Sequence, residues 1–370
     1  MTRIKGEATL YRVPSLEDYM LDGLIISIDA MGGDDAPDFV IQGIEYFLTH
    51  QGEGRRARFL LHGDAELLAP LLEAAPRTRE RSEVFHTDKT ISMDDKPSQA
   101  LRKGKGSSMW NAVAAVKGGK AGVVVSAGNT GAFMAMSKLQ LRAKQGVQRP
   151  ALAASWPNMA GNMTIVLDVG ANVECDAAQL TEFAILGEAY FRAIYGKDQP
   201  SVGLLNVGTE EGKGNAVVKI AHERLSQSQL GLNYIGFVEG YDISIGEVDV
   251  VVTDGFTGNI ALKTAEGTAK LVDSFVKKAL LGNLWSKLTS AFNSIALRGL
   301  RRSLDPRRAN GAVFLGLNGI AVKSHGGTDG IGFSNALNIA IGLAESDFQD
   351  ALDERLNALH DEDDNIGFIT

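Results

Sequence analysis

The chain has 370 residues, of which 44% are hydrophobic and 22% are charged, and it carries a formal net charge of −8 at pH 7. This composition is typical of a soluble α/β enzyme, and the negative charge argues against non-specific nucleic-acid binding. The single cysteine, Cys175, excludes an intramolecular disulfide, and no apolar run reaches the roughly 20 residues that a membrane-spanning helix needs.

Apolar runs alternate with helical patterns along most of the chain. Strands are expected at 24–29, 57–62, 121–126, 163–168, 201–207, 233–238 and 248–253. Helices are expected at 37–49, 64–74, 97–117, 129–144, 176–196, 212–229, 257–281 and 333–358. This alternation predicts an α/β fold with a doubly wound, largely parallel sheet.

The chain is expected to divide into three parts. Residues 1–22 are predicted to form an N-terminal appendage, and residues 361–370 an acidic tail. Residues 23–360 are predicted to form one α/β catalytic unit with two lobes, and two prolines indicate a crossing between the lobes near 145–160. The amino terminus lacks the apolar core of a signal peptide, so we expect a cytoplasmic protein.

Four glycine-rich loops follow predicted strands. They have the sequences DAMGGD (29–34), SAGNTG (126–131), NVGTEEGKGN (206–215) and DGFTGN (254–259). Glycine lets the backbone approach an anion closely, and the first N–H groups of the following helix point towards it. The loops therefore predict a site that binds oxyanions.

A basic segment interrupts this acidic chain. Between Lys270 and Leu304, seven Lys or Arg residues accompany one acid, Asp273, so this segment carries +6 and the rest of the chain −14. Apolar residues recur there at roughly helical spacing, which predicts a protruding amphipathic helical hairpin at 268–304. We expect the hairpin to contact an anionic membrane surface. The predicted contact residues are Leu281, Leu284, Trp285 and Lys287. The alternative is a dimerisation hairpin whose apolar stripe is buried against a second copy.

Several motifs together resemble the phosphate acyltransferase family (PlsX). They are DAMGGD at 29–34, SSMWNAV at 107–113, SAGNTGA at 126–132, DVGAN at 168–172, LLNVGTEEGKGN at 204–215 and VVTDGFTGN at 251–259. The resemblance runs in order from about Leu24 to His325. The family usually has histidine after DAMGGD, where this chain has Asp35, so no role of that imidazole carries over.

The resemblance implies a three-layer αβα sandwich related to isocitrate and isopropylmalate dehydrogenases, with a cleft between the lobes. It implies transfer of a long-chain fatty acyl group from acyl-acyl carrier protein to inorganic phosphate, giving acyl-phosphate for phospholipid synthesis. Other expected partners are a second copy of the chain and the membrane acyl-phosphate:glycerol-3-phosphate acyltransferase. No cofactor and no metal are expected. Two alternatives remain, a coenzyme A-dependent phosphate acetyl- or butyryltransferase and a non-catalytic membrane-docked scaffold.

Three residues are the catalytic candidates. Lys213 lies between two glycines and can place a cation on phosphate or on the oxyanion; otherwise it is a solvated lysine beside two glutamates. Asn259 can donate to the oxyanion or cap a helix. His325 can donate to phosphate or protonate the leaving thiolate, or it is structural.

Ten further residues are candidates for binding phosphate or substrate, and turns and helix caps are the alternative for each. They are Ser126, Gly128, Asn129, Thr130, Gly131, Asn206, Gly208, Thr209, Asp254 and Thr257. Asp29, Asp34 and Asp168 lie near strand ends, where magnesium ligands also occur, but they are interpreted as caps.

Overall fold

The computed structural model describes residues 23–52, 56–281 and 305–366. The strands are β1 (Leu24–Asp29), β2 (Ala57–Gly63), β3 (Ser82–His86), β4 (Val123–Ser126), β5 (Ala151–Pro157), β6 (Met163–Leu167), β7 (Ser201–Leu205), β8 (Asn233–Val238), β9 (Val250–Val252), β10 (Ala312–Leu315) and β11 (Ile320–Lys323). The α-helices are α1 (Asp38–His50), α2 (Ala65–Ala74), α3 (Pro76–Glu80), α4 (Pro97–Lys103), α5 (Ser108–Lys117), α6 (Thr130–Leu141), α7 (Ala177–Tyr195), α8 (Ala216–Gln227), α9 (Asp242–Ile245), α10 (Gly255–Leu281), α11 (Gly330–Glu345) and α12 (Phe348–Ile366).

The strands form one mixed sheet in the order β3-β2-β1-β4-β11-β10-β5-β6-β9-β7-β8. Pairing is parallel from β3 to β11 and again from β6 to β8. The three central pairings, β11–β10, β10–β5 and β5–β6, are antiparallel. The parallel strands of the two flanks therefore run in opposite directions. We call the end of the sheet at the carboxyl termini of β1, β4 and β11 the upper end. The lower end lies at the carboxyl termini of β6, β7 and β9.

Helices cover both faces of the sheet. Within β4, Val123 and Val125 belong to one buried cluster together with side chains of α1, α7 and α11. Val124 belongs to a second cluster together with side chains of α5 and α6. Since neighbouring strand residues point to opposite faces, each cluster fills one face. The fold is thus mixed α/β, with a large, mostly parallel sheet between flanking helices.

The structure confirms the seven predicted strands and adds β3, β5, β10 and β11. The apolar stretch that the sequence pattern suggests as a crossing between the lobes is β5, a strand in the middle of the sheet. The helix predicted at 97–117 is wrong, because Gly106 adopts a left-handed φ of 85° and Ser107 caps a new helix, α5. The helix predicted at 333–358 is likewise two helices, since α11 ends at Glu345 and α12 begins at Phe348.

Part of the predicted hairpin lies outside the described residues, including Leu284, Trp285 and Lys287. The described part of this segment belongs to α10, a 27-residue helix that ends at Leu281. Leu271, Val272 and Phe275 on α10 are exposed to 53%, 39% and 63%. Among the described helices, none is both long and apolar enough to cross a membrane. The predicted appendage at 1–22 also lies outside the described residues.

Candidate active site

Three polar residues end adjacent parallel strands at the upper end of the sheet. Asp29 ends β1, Ser126 ends β4 and Lys323 ends β11. Ser126 is the Cα partner of both Asp29 and Lys323, so the three lie side by side. The Ser126 hydroxyl donates to Asp29 Oδ2 at 2.7 Å and accepts from the Gly128 N–H at 3.1 Å. We call Asp29, Ser126, Gly128 and Lys323 the upper cluster.

Both charged members of the upper cluster are buried. Asp29 is 1% exposed and Lys323 is 7% exposed. Burial raises the pKa of the Asp29 carboxyl, against hydrogen bonds to its charged form. Burial lowers the pKa of the Lys323 ammonium to about 8, although Asp29 and Asp34 attract its charge. Each group is thus held where its ionised form is poorly solvated.

Glycines let the loops of the upper end approach this cluster. A β-carbon on Gly32 would lie 2.5 Å from Asp29 Oδ2 and 2.7 Å from the Gly128 nitrogen. The Asp34 N–H donates to the Gly326 carbonyl at 3.0 Å, which ties the loop after β1 to the loop after β11. Backbone groups of three loops therefore surround the carboxylate and the ammonium.

The helix-cap interpretation holds for Asn129. Its Oδ1 accepts from the Ala132 N–H, while its amide donates to the carbonyls of Met93 at 2.6 Å and Asp95 at 3.0 Å. The Asn129 side chain is therefore occupied, and the first N–H groups of α6 are what this loop offers to a ligand. Thr130 begins α6, and Gly131 packs against Pro97.

His325 lies beside the upper cluster, two residues after Lys323. Its backbone N–H donates to Asn310 Oδ1 at 2.8 Å, and its Nδ1 accepts from the Gly327 N–H at 3.1 Å. The side chain is exposed, and Nε2 faces no described hydrogen-bond partner. Asp35, at the position where the family resemblance expects histidine, is exposed as well.

Asp168 organises the lower end of the sheet. This buried carboxylate follows β6 and accepts hydrogen bonds from the N–H groups of Leu152, Gly170, Ala171 and Asn172 and from the Asn172 amide, at 2.7–3.1 Å. Burial raises its pKa against these bonds. The backbone carbonyl of Asn172 accepts from the Gly255 N–H at 2.7 Å, and this bond fixes the start of α10.

Asp254 and Thr257 form a cap at the start of α10. The Thr257 N–H donates to Asp254 Oδ1 at 2.9 Å, and its hydroxyl donates to Oδ2 at 2.7 Å. The capping interpretation of Asp254 is therefore correct. Asn259 lies within the first turns of α10 and is no cap; its side chain borders Gly170, where a β-carbon would lie 3.5 Å away.

The loop after β7 carries the remaining candidates. Lys213 is exposed, and its aliphatic chain packs over Gly208. Thr209 is exposed as well. The Asn206 amide nitrogen is buried without a hydrogen-bond partner in the described chain, and Gly214 lies against it. α8 begins only after Asn215, so Lys213 belongs to a loop rather than to a helix start. We call Asp168, Asn206, Lys213 and Asn259 the lower cluster.

The structure divides the candidate site residues into two groups. Ser126, Gly128 and His325 lie at the upper end, whereas Lys213 and Asn259 lie at the lower end of the same sheet. The loops follow the carboxyl ends of their strands at two different ends of the sheet, because the central antiparallel strands reverse the direction of the second flank. The sequence analysis does not identify Lys323. Its only local indication is its position between an apolar run and Ser-His-Gly-Gly.

In the described part of the chain, no group of three His, Cys, Asp or Glu residues is placed to hold a metal ion.

Comparison with known proteins places the chain in a family. A family model described as "Fatty acid synthesis protein" matches residues 24–351. A phosphate acyltransferase from Maricaulis maris is 56% identical over 87% of this chain and 92% of its own length. One from Caulobacter vibrioides is 53% identical over 92% of this chain and 93% of its own.

Solved structures resemble the fold alone. A phosphotransacetylase from Streptococcus pyogenes aligns with a TM-score of 0.58 at 16% identity, covering 87% of this chain and 94% of its own. A 4-hydroxythreonine-4-phosphate dehydrogenase from Klebsiella pneumoniae gives a TM-score of 0.52 at 12% identity, covering 87% of this chain and 100% of its own. The extent of the family match and the identity to curated relatives settle the assignment: the chain belongs to the fatty acid synthesis protein family, together with these phosphate acyltransferases, and is an acyltransferase.

Proposed function

We propose that this enzyme transfers a long-chain fatty acyl group from acyl-acyl carrier protein to inorganic phosphate and releases acyl-phosphate for phospholipid synthesis. Its relatives named phosphate acyltransferase support the acceptor. The observation that carries the proposal is the upper cluster, where a buried ammonium lies among glycine loops at the carboxyl ends of parallel strands. Open α/β sheets bind ligands at such ends.

The reaction needs positioning more than a strong base. Phosphate is partly a dianion near neutral pH, and one of its oxygens attacks the thioester carbonyl. The tetrahedral intermediate then expels the phosphopantetheine thiolate. The protein has to hold two electron-rich groups together and stabilise the oxyanion. Backbone N–H groups, a cation and a neutral donor are sufficient for this task.

The candidate residues divide into two roles. At the upper end, Gly128, the first turn of α6 and His325 are proposed to bind phosphate. At the lower end, Lys213 and Asn259 are proposed to stabilise the oxyanion of the acyl donor, with the buried amide of Asn206 as a further donor. Asp168 and the Asp254–Thr257 cap hold the loops that carry them.

In a homodimer, the upper cluster of one copy and the lower cluster of the other can form one active site. The clusters lie at opposite ends of one sheet, so a second copy would have to present its lower cluster to the upper cluster of the first. The exposed side chains of Leu271, Val272 and Phe275 on α10 provide apolar surface for contact with a second copy or with a membrane. We also propose that the sheet belongs to the isocitrate/isopropylmalate dehydrogenase-like class and that 268–304 forms the amphipathic hairpin. The membrane acyl-phosphate:glycerol-3-phosphate acyltransferase is the proposed recipient of the product.

The donor is tested by incubating the enzyme with phosphate and either palmitoyl-acyl carrier protein or palmitoyl-coenzyme A. We expect acyl-phosphate from the carrier protein and little use of coenzyme A. Equal use of both donors would favour a coenzyme A-dependent phosphate acyltransferase instead. Absence of acyl-phosphate with either donor would overturn the proposal.

A further inference from the structure

One carboxylate oxygen in the upper cluster is buried and makes no hydrogen bond of full geometry with the described residues. Asp29 Oδ2 accepts from Ser126, whereas Asp29 Oδ1 is buried without a hydrogen bond of full geometry, although the Ser108 side chain and the Met31 N–H lie near enough to oppose the rise in the pKa of this carboxyl. A buried carboxylate oxygen without a donor is costly, and native proteins keep few such atoms without a reason.

A buried donor with unused hydrogen-bonding capacity lies at the same level of the sheet, two strands from Asp29. The Lys323 ammonium donates to the Ser324 carbonyl and forms no ion pair with the described residues. An ammonium has three N–H bonds, so two are left without a described acceptor. Asp29 lies near enough to attract the charge, and the two residues flank Ser126 on adjacent strands.

A ligand that completes both groups must offer an acceptor and a donor together. Hydrogen phosphate has oxygens that accept from an ammonium and one P–OH group that donates to a carboxylate. Sulfate has the same shape and charge but no proton at neutral pH. A sulfate oxygen facing Asp29 would therefore place two acceptors against each other.

We propose that Asp29 and Lys323 form the phosphate subsite of this enzyme, in which Lys323 supplies affinity for the anion and Asp29 accepts the P–OH proton and so selects hydrogen phosphate over sulfate. The inference rests on the proposed function, since it names how the acceptor substrate is recognised. It adds Asp29 and Lys323 to the glycine loops as groups that contact the substrate. Ser126 is a positioning residue, because its hydroxyl occupies Oδ2 and leaves Oδ1 for the ligand.

The test measures binding of sodium phosphate and sodium sulfate to the intact protein by isothermal titration calorimetry at pH 7.5 and fixed ionic strength. The wild-type protein should prefer phosphate by at least about a hundredfold, because a site built to pair with a ligand hydroxyl rejects an analogue that lacks it. In Asp29→Asn, the amide can donate towards the ligand. The preference should then fall to about tenfold or less as sulfate binding improves.

Lys323→Met should weaken binding of both anions by at least about tenfold and leave their ratio close to the wild-type value. Removing one charge of a buried pair can unfold a protein. The double variant Asp29→Asn/Lys323→Met carries neither charge, and it should fold and bind neither anion selectively.

Asp249→Asn is the matched control. Asp249 is a half-buried carboxylate just before β9, four strands from β11, and it pairs with Lys197 and Ser201. It should leave the phosphate-to-sulfate ratio unchanged.

Equal binding of phosphate and sulfate by the wild-type protein, or an unchanged ratio in folded Asp29→Asn, would overturn the inference. Acyl-phosphate formation by the wild-type protein is measured in parallel. Turnover without anion selectivity would remove the subsite and leave the proposed function standing. Selective phosphate binding without turnover of any acyl donor would support the subsite and overturn the proposed function.

Discussion

Lys213 is the exposed cation of the lower cluster, and its loss should affect chemistry rather than folding. Lys213→Ala is expected to lower kcat/KM by about a hundredfold or more, because a cation beside a desolvated oxyanion contributes on the order of 2–4 kcal/mol. Asn259→Ala should cost about tenfold, since a neutral donor contributes less. Lys117→Ala, an exposed lysine at the end of α5, is the control. Near-normal activity of both site variants, with melting temperatures unchanged, would place the active site elsewhere.

Local sequence is sufficient to propose some site residues and not others. Lys213 and Asn259 stand out because each lies in a glycine-rich stretch of sequence that follows an apolar run. Asp29 and Ser126 are 97 residues apart, and their contact depends on the register between β1 and β4. Lys323 joins them only through β11, a strand too short to give a clear pattern. Cross-strand pairs of this kind follow from the assembled sheet and not from any one segment.

At the scale of single elements, the start of α10 depends on a close backbone approach. A β-carbon on Gly258 would overlap the Asp168 carbonyl oxygen and lie 3.0 Å from Thr253 Cγ2. Gly258→Ala should therefore destabilise the protein by about 1–3 kcal/mol. Gly267 lies in the same helix, and a β-carbon there would meet no atom within 4 Å, so Gly267→Ala should stabilise the protein by up to about 1 kcal/mol. Thermal unfolding of both variants, followed by circular dichroism, measures the contrast. Equal effects would mean that the approach at Gly258 is not tight.

β2 contains a histidine that links stability to acid pH. His62 is 4% exposed and stacks on Phe85 at 5.2 Å between ring centroids, and its two ring nitrogens have no hydrogen-bond partner in the described chain. Burial, with a smaller effect of Lys120, lowers its pKa from 6.5 to about 4. The unfolded chain therefore binds more protons between pH 6.5 and pH 4, so stability is complete above this window and falls as the pH drops through it.

Replacing His62 with Phe removes this titration. Across that acid window, the free energy of unfolding of the wild-type protein should fall by on the order of 3 kcal/mol more than that of His62→Phe. Urea unfolding at pH 7, 5.5 and 4 measures the difference. Parallel loss of stability in both proteins would show that other groups dominate acid unfolding.

Element boundaries are predictable where a pattern is long and fail where it is short. The predicted bounds of β1, β2 and β8 lie within a residue of the observed ones. β10 and β11 have four residues each, which is too few to separate a strand from a loop by periodicity. β5 escapes prediction because proline occurs at its ends, where a strand tolerates it.

For the whole molecule, the decisive feature is the reversal of strand direction at the centre of the sheet. Alternating strand and helix patterns predict a parallel sheet correctly for each flank. They contain no information on how the two flanks pair, because that depends on the pairing of β10 with β5, two strands that are distant in sequence. The reversal separates the upper and lower clusters within one chain.

If two chains supply the clusters of one site, defects in different clusters should complement. A mixture of Asp29→Asn and Lys213→Ala chains, refolded or expressed together, should regain up to about a quarter of the wild-type activity, because about half of the dimers are mixed and one of the two sites in each mixed dimer is intact. Neither variant alone should show this recovery. Sedimentation that reveals only monomer, or mixed chains that stay inactive although they form dimers, would contradict the shared site.

The segment at 268–304 is expected to hold the enzyme at a membrane surface. A long-chain acyl-phosphate is poorly soluble, so release at a bilayer is chemically reasonable. The segment combines apolar residues with a basic excess, and each basic residue near an anionic surface contributes on the order of 1 kcal/mol. Several such residues together offset the negative charge of the remaining chain. In the described part of this segment, the apolar side chains of Leu271, Val272 and Phe275 on α10 are exposed.

Co-sedimentation with anionic vesicles tests this expectation. Wild-type protein should bind at low ionic strength and dissociate as salt screens the attraction. The double variant Leu281→Glu/Trp285→Glu should release the protein from vesicles and keep its activity in solution, because neither residue belongs to the proposed site. Leu67→Glu, which changes a 52% exposed leucine on α2, is the matched control and should leave vesicle binding unchanged. A wild-type protein that ignores anionic vesicles at low salt would make the basic segment a contact between copies, since its apolar stripe would then have protein rather than lipid as its partner.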